Sequence, residues 1–356
     1  PFGDHFAAVL QERRSEADAF YAAIIPPKLL PDAAAVMRQA LAGMLWSKQT
    51  YNYDVARWLQ GHGYANQAQL QHASIRNRQW FQAFNDDVIS MPDKWEYPWF
   101  AAWDLAFHTV SLAIVDLDFA KQQLLLLLGE RYLHPSGQIP AYEWNFSDVN
   151  PPVHAWAALR LYAIERDATG KGDLAFLQDA FNKLALNYTW WVNRKDPNNR
   201  DVFGGGFLGL DNISVFDRSA PLPTGGQLIQ SDGTAWMIFY TLSMLQIALE
   251  LALHDPVYQS MASKYFEQFL WIQSAMNNLG GGTSGLWNEE DGFFYDALLL
   301  PDGQAMPLKV RSLVGLLPLA ACSVVFPEQV GHLPEFMARV QWLNENRPHL
   351  VAGIPS

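Results

Sequence analysis

The stretch MPDKWEYPWFAAWDLAFHTV, residues 91–110, joins an aromatic loop to a helical pattern, and units of this kind recur along the chain. Its helical pattern is predicted to run from Pro98 to about Val115, because apolar residues return at spacings of three and four. We predict that the buried face of this helix carries Trp103, Phe107, Val110 and Ile114. The stretch therefore predicts a helix that begins just after a cluster of aromatic side chains.

A second face of the same helix carries the polar residues Asp104, His108 and Ser111, at spacings of four and three. Side chains at these spacings are neighbours on a helix surface, so we expect Asp104 and His108 to lie close together. Asp104 would stand in the first part of the helix, beside the aromatic loop. This face is the candidate site for chemistry.

Helical patterns also occupy most of the chain on both sides of this stretch. We predict them over residues 4–23, 32–59, 118–133, 153–167, 174–195, 234–253, 256–279, 312–325 and 333–344. Asp232 is predicted to cap the helix that follows it. The connections are loops, with one possible short hairpin in 280–304, and there is neither βαβ alternation nor a run of strands. This rhythm predicts an all-α fold built as a toroid of helix pairs, whose aromatic loops would converge at one end.

Composition excludes several classes of protein. The 356 residues carry a net charge of −12, with a pI near 5.1 and no cluster of Lys and Arg, which argues against nucleic acid as a partner. The apolar runs are shorter than the roughly 20 residues of a membrane span, so we expect a soluble, cytoplasmic protein. The single cysteine, Cys322, excludes an internal disulfide and is expected to be a buried core thiol.

Asp104 admits two interpretations. The helix dipole favours its ionised form by about 0.3–1 kcal/mol, less than one pKa unit. Burial among aromatic rings can raise the pKa of a carboxyl by several units, which would keep it protonated as a general acid. If the aromatic side chains point elsewhere, Asp104 is an ordinary aspartate at a helix start.

Further candidates for binding sugar hydroxyls or sugar rings lie in the loops. Asp211, with Asn212, follows a glycine-rich segment, and Glu143 stands between Tyr142 and Trp144. A turn aspartate that bonds its own backbone is the structural alternative for Asp211. The predicted substrate-binding set is Trp95, Tyr97, Trp99, Trp103, His108, Gln138, Glu143, Trp144, Asp211, Asn212 and Trp236. Each tryptophan could equally be a core residue.

Several long motifs, in order along the chain, resemble those of a known enzyme family. They are MPDKWEYPWFAAWDLAFH, GQIPAYEWNFSDVNPPVHAW, GGFLGLDN, VFDRSAPLP, QSDGTAW and LWNEEDGFFYD. Together they resemble the catalytic domain of glycoside hydrolase family 63, which includes processing α-glucosidases and mannosylglycerate hydrolases.

The resemblance implies an (α/α)6 barrel and inverting hydrolysis of an α-glucoside or a related small α-glycoside, with Asp104 as the general acid. An inverting enzyme also needs a second carboxylate, about 6.5–9.5 Å away, to activate water. The resemblance implies that this base is a glutamate beyond residue 356, so we expect the barrel to be incomplete at its C-terminal end. We expect one catalytic domain over residues 1–356, with 1–30 as a leading helical segment.

No cofactor or metal is expected; Asp196, Asn198 and Asp201 only faintly resemble a calcium loop. The expected partners are a small carbohydrate and a missing C-terminal segment of the same polypeptide. Two other functions stay open. The first is a glycan-binding or assembly-dependent module that lacks the base, and the second is a sugar epimerase on a similar toroid, with His108 and His154 as its proton-transfer pair.

Overall fold

A computed structural model describes residues 2–64, 75, 78–142, 146, 149–195, 200–204, 209–210, 213–218, 222, 226–277 and 285–351. Most of these residues are helical, as the sequence predicts. The helices are α1 (Asp4–Ile24), α2 (Pro31–Trp46), α3 (Val55–Gly61), α4 (Ala102–Leu112), α5 (Leu117–Leu127), α6 (His154–Thr169), α7 (Leu174–Lys195), α8 (Ser231–Ala252), α9 (Tyr258–Asn277), α10 (Pro327–Val330), α11 (Pro334–Asn346) and α12 (Pro348–Val351). Two 3-10 helices, Arg78–Trp80 and Leu313–Ala320, complete the helical set in this part of the chain.

Seven short strands form three small antiparallel sheets within the described ranges. The strands are β1 (Lys48–Asp54), β2 (Phe84–Ser90), β3 (Gln227–Ile229), β4 (Trp287–Asn288), β5 (Phe293–Phe294), β6 (Asp296–Leu299) and β7 (Ala305–Leu308). β1 pairs with β2, β4 pairs with β5, and the third sheet has the order β3-β6-β7. The predicted hairpin in 280–304 is confirmed by the β4–β5 pair, whereas the β1–β2 pair was not predicted.

The predicted helix over residues 32–59 is wrong over residues 47–54, between α2 and α3. The chain leaves α2 there and forms β1, whose residues pair one by one with β2 from Lys48 opposite Ser90 to Asp54 opposite Phe84. Thr50, Tyr51 and Tyr53 favour an extended backbone, and pairing with a distant segment outweighs the helical spacing of the preceding residues. Asp54 then caps α3 by accepting from the Arg57 amide at 3.0 Å.

Helix α8 is the centre of the core. It packs against α6, α7, α9 and the 3-10 helix Leu313–Ala320, and most of its side chains are buried. Of the helices in the described part of the chain, α8 alone is long and apolar enough to cross a membrane, but 78% of its apolar window is buried inside the protein. That burial is what the core helix of a globular fold shows, so the feature is weak evidence for a membrane span.

The two ends of the chain are far less buried than this centre. No residue of α1 is buried, and its attachment to α2 includes the ion pair between Arg38 and Asp18 at 2.7 Å. The predicted helix over 312–325 is only a 3-10 helix that contains Pro318 and ends at Ala320, because proline removes a backbone donor. Cys322 lies in the segment after it and is exposed, so the prediction of a buried thiol is wrong.

Candidate active site

The segment before α4 is fixed by backbone pairing with a distant loop. Ala101 forms an isolated antiparallel bridge with Tyr142, and the Ala102 amide donates to the Ala141 carbonyl at 2.8 Å. These bonds bring the 137–142 loop, which follows α5, to the first residue of α4. The start of α4 is therefore held by a loop that lies well beyond the helix in sequence.

Two neutral side chains from the start of α6 complete this attachment. Asn150 Oδ1 accepts from the Trp103 amide at 3.2 Å, which satisfies one of the free amides in the first turn of α4. The His154 imidazole lies 3.1 Å from the Ala102 carbonyl through Nε2. Because a carbonyl oxygen only accepts, Nε2 must carry the proton and Nδ1 is left as an acceptor.

His154 is a buried, neutral histidine. It is 3% exposed, and burial lowers the pKa of its imidazole to about 4, although the bond to the Ala102 carbonyl acts in the opposite direction. The side chain therefore positions α4 through a hydrogen bond and stays uncharged near neutral pH. Sequence reasoning weighed a structural role for His154 against proton transfer, and the structural role agrees with this contact, although its partner, the Ala102 carbonyl, was not predicted.

Asp104 lies in the first turn of α4 and is half-buried. Burial raises the pKa of its carboxyl above the ordinary value, and the nearby His108 imidazole offsets part of that effect. His108 Nδ1 donates to the Ser90 carbonyl at 3.2 Å, which ties the imidazole to β2. The predicted proximity of Asp104 and His108 is confirmed, and no Lys or Arg within the described ranges forms an ion pair with Asp104.

The predicted apolar stripe of α4 is wrong in part. The buried positions are Ala102, Leu105, Ala106, Thr109 and Leu112, whereas Phe107 is 38% exposed and Ile114, beyond the helix, is 49% exposed. The helix turns its small and aliphatic residues into the core, and its large aromatic residues stay at the surface. The prediction placed the largest apolar side chains in the core. The closely packed interior instead holds small and aliphatic side chains on this helix.

Five aromatic rings from α4, α6 and α8 form a closed, half-buried circuit, which we call the aromatic ring cluster. Its successive centroid distances are 5.7 Å for Trp103–Phe107, 5.6 Å for Phe107–Trp156, 6.5 Å for Trp156–Phe239, 5.8 Å for Phe239–Trp236 and 6.5 Å for Trp236–Trp103. Most pairs are edge-to-face, the arrangement that aromatic quadrupoles favour. The predicted residues Trp103 and Trp236 thus lie together in one surface, and Trp103 is the immediate neighbour of Asp104 on α4.

The aromatic residues of the preceding loop do not all gather at Asp104. Trp95 is 85% exposed, whereas Phe100 is fully buried in the core against Tyr132. Tyr97 and Trp99 are half-buried and lie 5.9 Å apart between ring centroids. The loop therefore divides into one exposed tryptophan, one half-buried pair and one core anchor.

Gln138 is 5% exposed, and its side-chain Nε2 has no acceptor within the described ranges. It follows Gly137, which lies against α7: the Asn187 amide group donates to the Gly137 carbonyl at 2.8 Å. Gly137 has φ +92°, and a Cβ there would lie 2.6 Å from the Leu186 carbonyl oxygen, so the turn requires glycine. The predicted residues Glu143, Trp144, Asp211 and Asn212 lie outside the described residues.

The start of α8 differs from the prediction that Asp232 caps it. The helix begins at Ser231, and Asp232 lies inside the first turn, where its carboxylate binds the Arg218 guanidinium through both oxygens. Asp296 at the start of β6 lies 3.2 Å from Arg218 Nε and accepts from the Ser231 amide at 2.8 Å. Burial raises the pKa of the Asp296 carboxyl, and the Arg218 guanidinium acts in the opposite direction. We call Arg218, Asp232 and Asp296 the buried ion triad.

The triad also holds the loop that faces Trp103. Arg218 Nη1 donates to the Leu210 carbonyl at 3.2 Å, and the adjacent Gly209 has φ +75°. A Cβ at Gly209 would lie 2.7 Å from the Trp103 ring, so only glycine allows this approach. Sequence reasoning quoted the motifs that contain these residues but assigned no role to Arg218.

Two cavities are lined by described residues in other parts of the fold. An apolar cavity of about 680 Å³ lies between α8, α9, α11 and the segment that contains Cys322, and another of about 810 Å³ lies between the ends of α5 and α7. Over the residues that the structure describes, no three His, Cys, Asp or Glu side chains could hold a metal ion together. Asp201, from the faint calcium pattern, accepts a hydrogen bond from Gln268 at 2.9 Å, and Asp196 and Asn198 lie outside the described residues.

A known protein family matches the part of the chain around α4. Residues 97–204 match the mannosylglycerate hydrolase MGH1-like glycoside hydrolase domain, a segment that contains α4, α6 and α7. The chain is 48% identical over 359 residues to the uncharacterized protein YMR196W of Saccharomyces cerevisiae, in an alignment that covers 98% of the chain. It spans about a third of the length of that curated relative, 33%.

The fold is also similar to solved structures from Thermus thermophilus. A GH63 mannosylglycerate hydrolase in complex with glucose aligns with a TM-score of 0.50 at 19% identity, over 72% of this chain and 73% of that one. The same enzyme in complex with Tris and D-glycerate aligns with a TM-score of 0.50 at 17% identity, over 72% and 73% of the two chains.

Residues 97–204 are thus similar to a glycoside hydrolase domain, and the fold is similar to that of the GH63 structures. Both similarities agree with the resemblance to glycoside hydrolase family 63 that the sequence motifs carry.

Proposed function

We propose that this chain carries the acid half of an inverting glycosidase that hydrolyses an α-glucoside or a related small α-glycoside. Asp104 is the general acid in this proposal. The observation that carries it is the half-buried Asp104 carboxyl at the start of α4, which forms no ion pair with a Lys or Arg within the described ranges and whose pKa is raised by burial. A raised pKa favours the protonated form of the carboxyl, which is the form that a general acid needs to protonate a glycosidic oxygen.

The aromatic ring cluster supports a sugar as the substrate. Trp103 and Trp236 present ring surface near the start of α4, where Asp104 lies, and ring faces pack against the C–H groups of sugars. His108, Tyr97 and Trp99 are proposed further contacts, together with Trp95, Gln138, Glu143, Trp144, Asp211 and Asn212. Mannosylglycerate is a second candidate substrate, because the neighbouring Thermus thermophilus structures are named for its hydrolysis.

An inverting reaction needs a second carboxylate, about 6.5–9.5 Å from the first, to activate water. We propose that this base comes from outside the described residues and that the helices form an (α/α)6 barrel that further sequence completes. The matched relative is about three times as long as this chain, since the chain spans 33% of it, which supports that arrangement. The proposed domain spans residues 1–356, with 1–30 as its leading helical segment. The proposed location is the cytoplasm.

The second candidate function is a glycan-binding or assembly-dependent module that has the pocket without the base. It is favoured by the aromatic ring cluster, whose ring faces could bind a sugar whether or not a catalytic base is present. The epimerase alternative is less well supported, because His154 is buried and its Nε2 proton is used by the Ala102 carbonyl. That leaves His108 without a second accessible histidine from the predicted pair.

The test is hydrolysis of a panel of α-glucosides, α-mannosides and mannosylglycerate, read as release of new reducing ends, with proton NMR to follow the anomeric configuration of the first product. Formate, a small carboxylate that can activate water in place of a missing general base, is added in parallel. Hydrolysis that is lost in Asp104→Asn supports the proposal. Binding of the same sugars with no hydrolysis in any arm supports the binding module instead.

A further inference from the structure

The strongest arrangement outside the α4 start is the buried ion triad, because it joins three separate parts of the chain. Arg218 comes from the loop after Gly209, Asp232 from the first turn of α8, and Asp296 from the start of β6. The side chains of Arg218 and Asp232 are fully buried, and that of Asp296 is 5% exposed. Charged side chains are seldom fully buried unless an opposite charge balances them.

The guanidinium forms hydrogen bonds through Nη1 and Nη2, whereas its Nε has only an ion-pair contact with Asp296 among the described residues. Nη1 donates to Asp232 Oδ2 at 2.8 Å and to the Leu210 carbonyl at 3.2 Å, Nη2 donates to Asp232 Oδ1, and Nε lies 3.2 Å from Asp296 Oδ2. Only arginine has planar donors in this fixed geometry, and a lysine ammonium would reach one or two of these acceptors. The contacts therefore specify orientation and not merely charge.

The two segments that the guanidinium joins carry the two tryptophans of the site. The Leu210 carbonyl is next to Gly209, which lies against the Trp103 ring, and Asp232 is one helical turn before Trp236 on α8. Trp103 and Trp236 meet edge to face, with centroids 6.5 Å apart. A shift of either segment would move one ring against the other.

We propose that Arg218 is a positioning residue for the sugar site: it joins the Gly209–Leu210 loop to the start of α8 and thereby fixes the Trp103 and Trp236 rings beside Asp104. Its contribution to sugar binding rests on the proposed function above, whereas its contribution to the local structure does not. Arg218 touches neither the reacting atoms nor the sugar. Its effect acts through the positions of Gly209 and Trp236.

The experiment compares Arg218→Lys with a destabilised control far from the site. Leu343→Ala is that control, because Leu343 is fully buried on α11 in a small separate cluster with Leu270 and Leu350. Both variants are measured below their unfolding transitions. The first readout is hydrogen–deuterium exchange, which reports local opening of the backbone amides.

We expect faster exchange in Arg218→Lys confined to peptides that contain residues 209–218 and 231–236, with unchanged exchange there in Leu343→Ala. The second readout is the dissociation constant for glucose or for the best substrate of the hydrolysis panel. We expect it to rise roughly tenfold or more in Arg218→Lys and to stay unchanged in Leu343→Ala, because small displacements of positioning groups have large effects.

Unchanged exchange in Arg218→Lys overturns the proposal, and so does an equal increase in both variants. If exchange changes as expected while sugar affinity stays at the wild-type value, the link to the sugar site is overturned. A wild-type protein that binds no sugar in the panel contradicts the proposed function instead, and the exchange result still decides whether Arg218 positions the two segments.

Discussion

The first turns of α4 and α8 each contain an aspartate and bring a tryptophan to the same surface, but the two turns are built from different chemistry. The start of α4 is held by neutral groups, the Asn150 amide and the His154 imidazole, and Asp104 forms no ion pair with a Lys or Arg among the described residues. The start of α8 is held by buried ions, and Asp232 is fully engaged by Arg218. The same residue type at a similar helical position is thus available for chemistry in one place and committed to structure in the other.

The difference shows that a helix-start aspartate takes its role from what lies opposite it. The helix dipole favours both carboxylates similarly, by about 0.3–1 kcal/mol. A bidentate arginine adds charge-assisted hydrogen bonds that commit the Asp232 carboxylate to structure, whereas partial burial without an arginine raises the pKa of the Asp104 carboxyl. The partner therefore decides between a structural carboxylate and a candidate proton donor.

The largest expected effect comes from Asp104→Asn, which removes the transferable proton and little else. Catalysed hydrolysis should fall by about 10²–10⁴-fold, the usual contribution of general acid catalysis, with sugar affinity nearly unchanged. The measurement is turnover of the best substrate from the hydrolysis panel, with the dissociation constant measured beside it. Turnover within a fewfold of wild type would remove Asp104 from the role.

The raised pKa of Asp104 also predicts a pH dependence. A general acid works only while protonated, so activity should fall as pH rises through the raised pKa. The free energy of unfolding should also depend on pH, because the pKa of the Asp104 carboxyl in the folded protein exceeds the unfolded value of about 3.9. Its favourable contribution is complete below that value and is lost as pH rises through the folded pKa, so Asp104→Asn should become more stable relative to wild type over that window. Urea unfolding of both proteins at a series of pH values is the measurement, and a constant difference between them would contradict the raised pKa.

The matched substitution Asp232→Asn should lower the stability of the protein, whereas Asp104→Asn should lower its activity. It breaks the bidentate pair with the fully buried Arg218 side chain, and we expect the free energy of unfolding to fall by about 3 kcal/mol. That is the lower end of the usual range, because Asp296 still balances the guanidinium. Urea unfolding of Asp104→Asn and Asp232→Asn side by side is the measurement, and equal stability of the two variants would contradict the comparison.

His154 allows a test of the neutral contacts that hold the start of α4. Because burial lowers the pKa of its imidazole to about 4, against about 6.5 when unfolded, its stability contribution is complete above pH 6.5 and is lost as pH falls toward 4. The loss approaches about 3 kcal/mol at the low-pH limit. His154→Gln, which can keep a donor to the Ala102 carbonyl, should unfold with a flatter pH dependence between pH 4 and 6.5. An unchanged slope would contradict a buried neutral histidine.

Much of this architecture could be predicted from the sequence, but the partners could not. The spacing of apolar residues located α4 and α7, and the proximity of Asp104 and His108 follows from a spacing of four. The β1–β2 pair depends on contacts between segments far apart in the chain, which helical spacing does not report. Likewise, nothing local to QSDGTAW reveals that Asp232 faces Arg218, because the pairing exists only once the loop and α8 have packed. Cys322 was misjudged because its apolar neighbours, Val324, Val325 and Phe326, are themselves exposed.

The smallest expected effect is on sugar affinity and comes from Trp236, the residue of α8 that we propose contacts the sugar. Trp236 is half-buried in the aromatic ring cluster, and its Nε1 has no acceptor in the described part of the chain. Trp236→Phe keeps an aromatic face but shortens it, and we expect sugar affinity to weaken by about 1 kcal/mol, roughly fivefold. Trp342→Phe on α11, where Trp342 is 41% exposed beside Arg339, is the control. Calorimetric titration should separate the two variants, because Trp236 contacts the Trp103 ring and Trp342 lies on a different helix. Equal affinities for wild type and Trp236→Phe would mean that α8 contributes neither its aspartate nor its tryptophan to the sugar, and that the sugar site is confined to α4 and its loop.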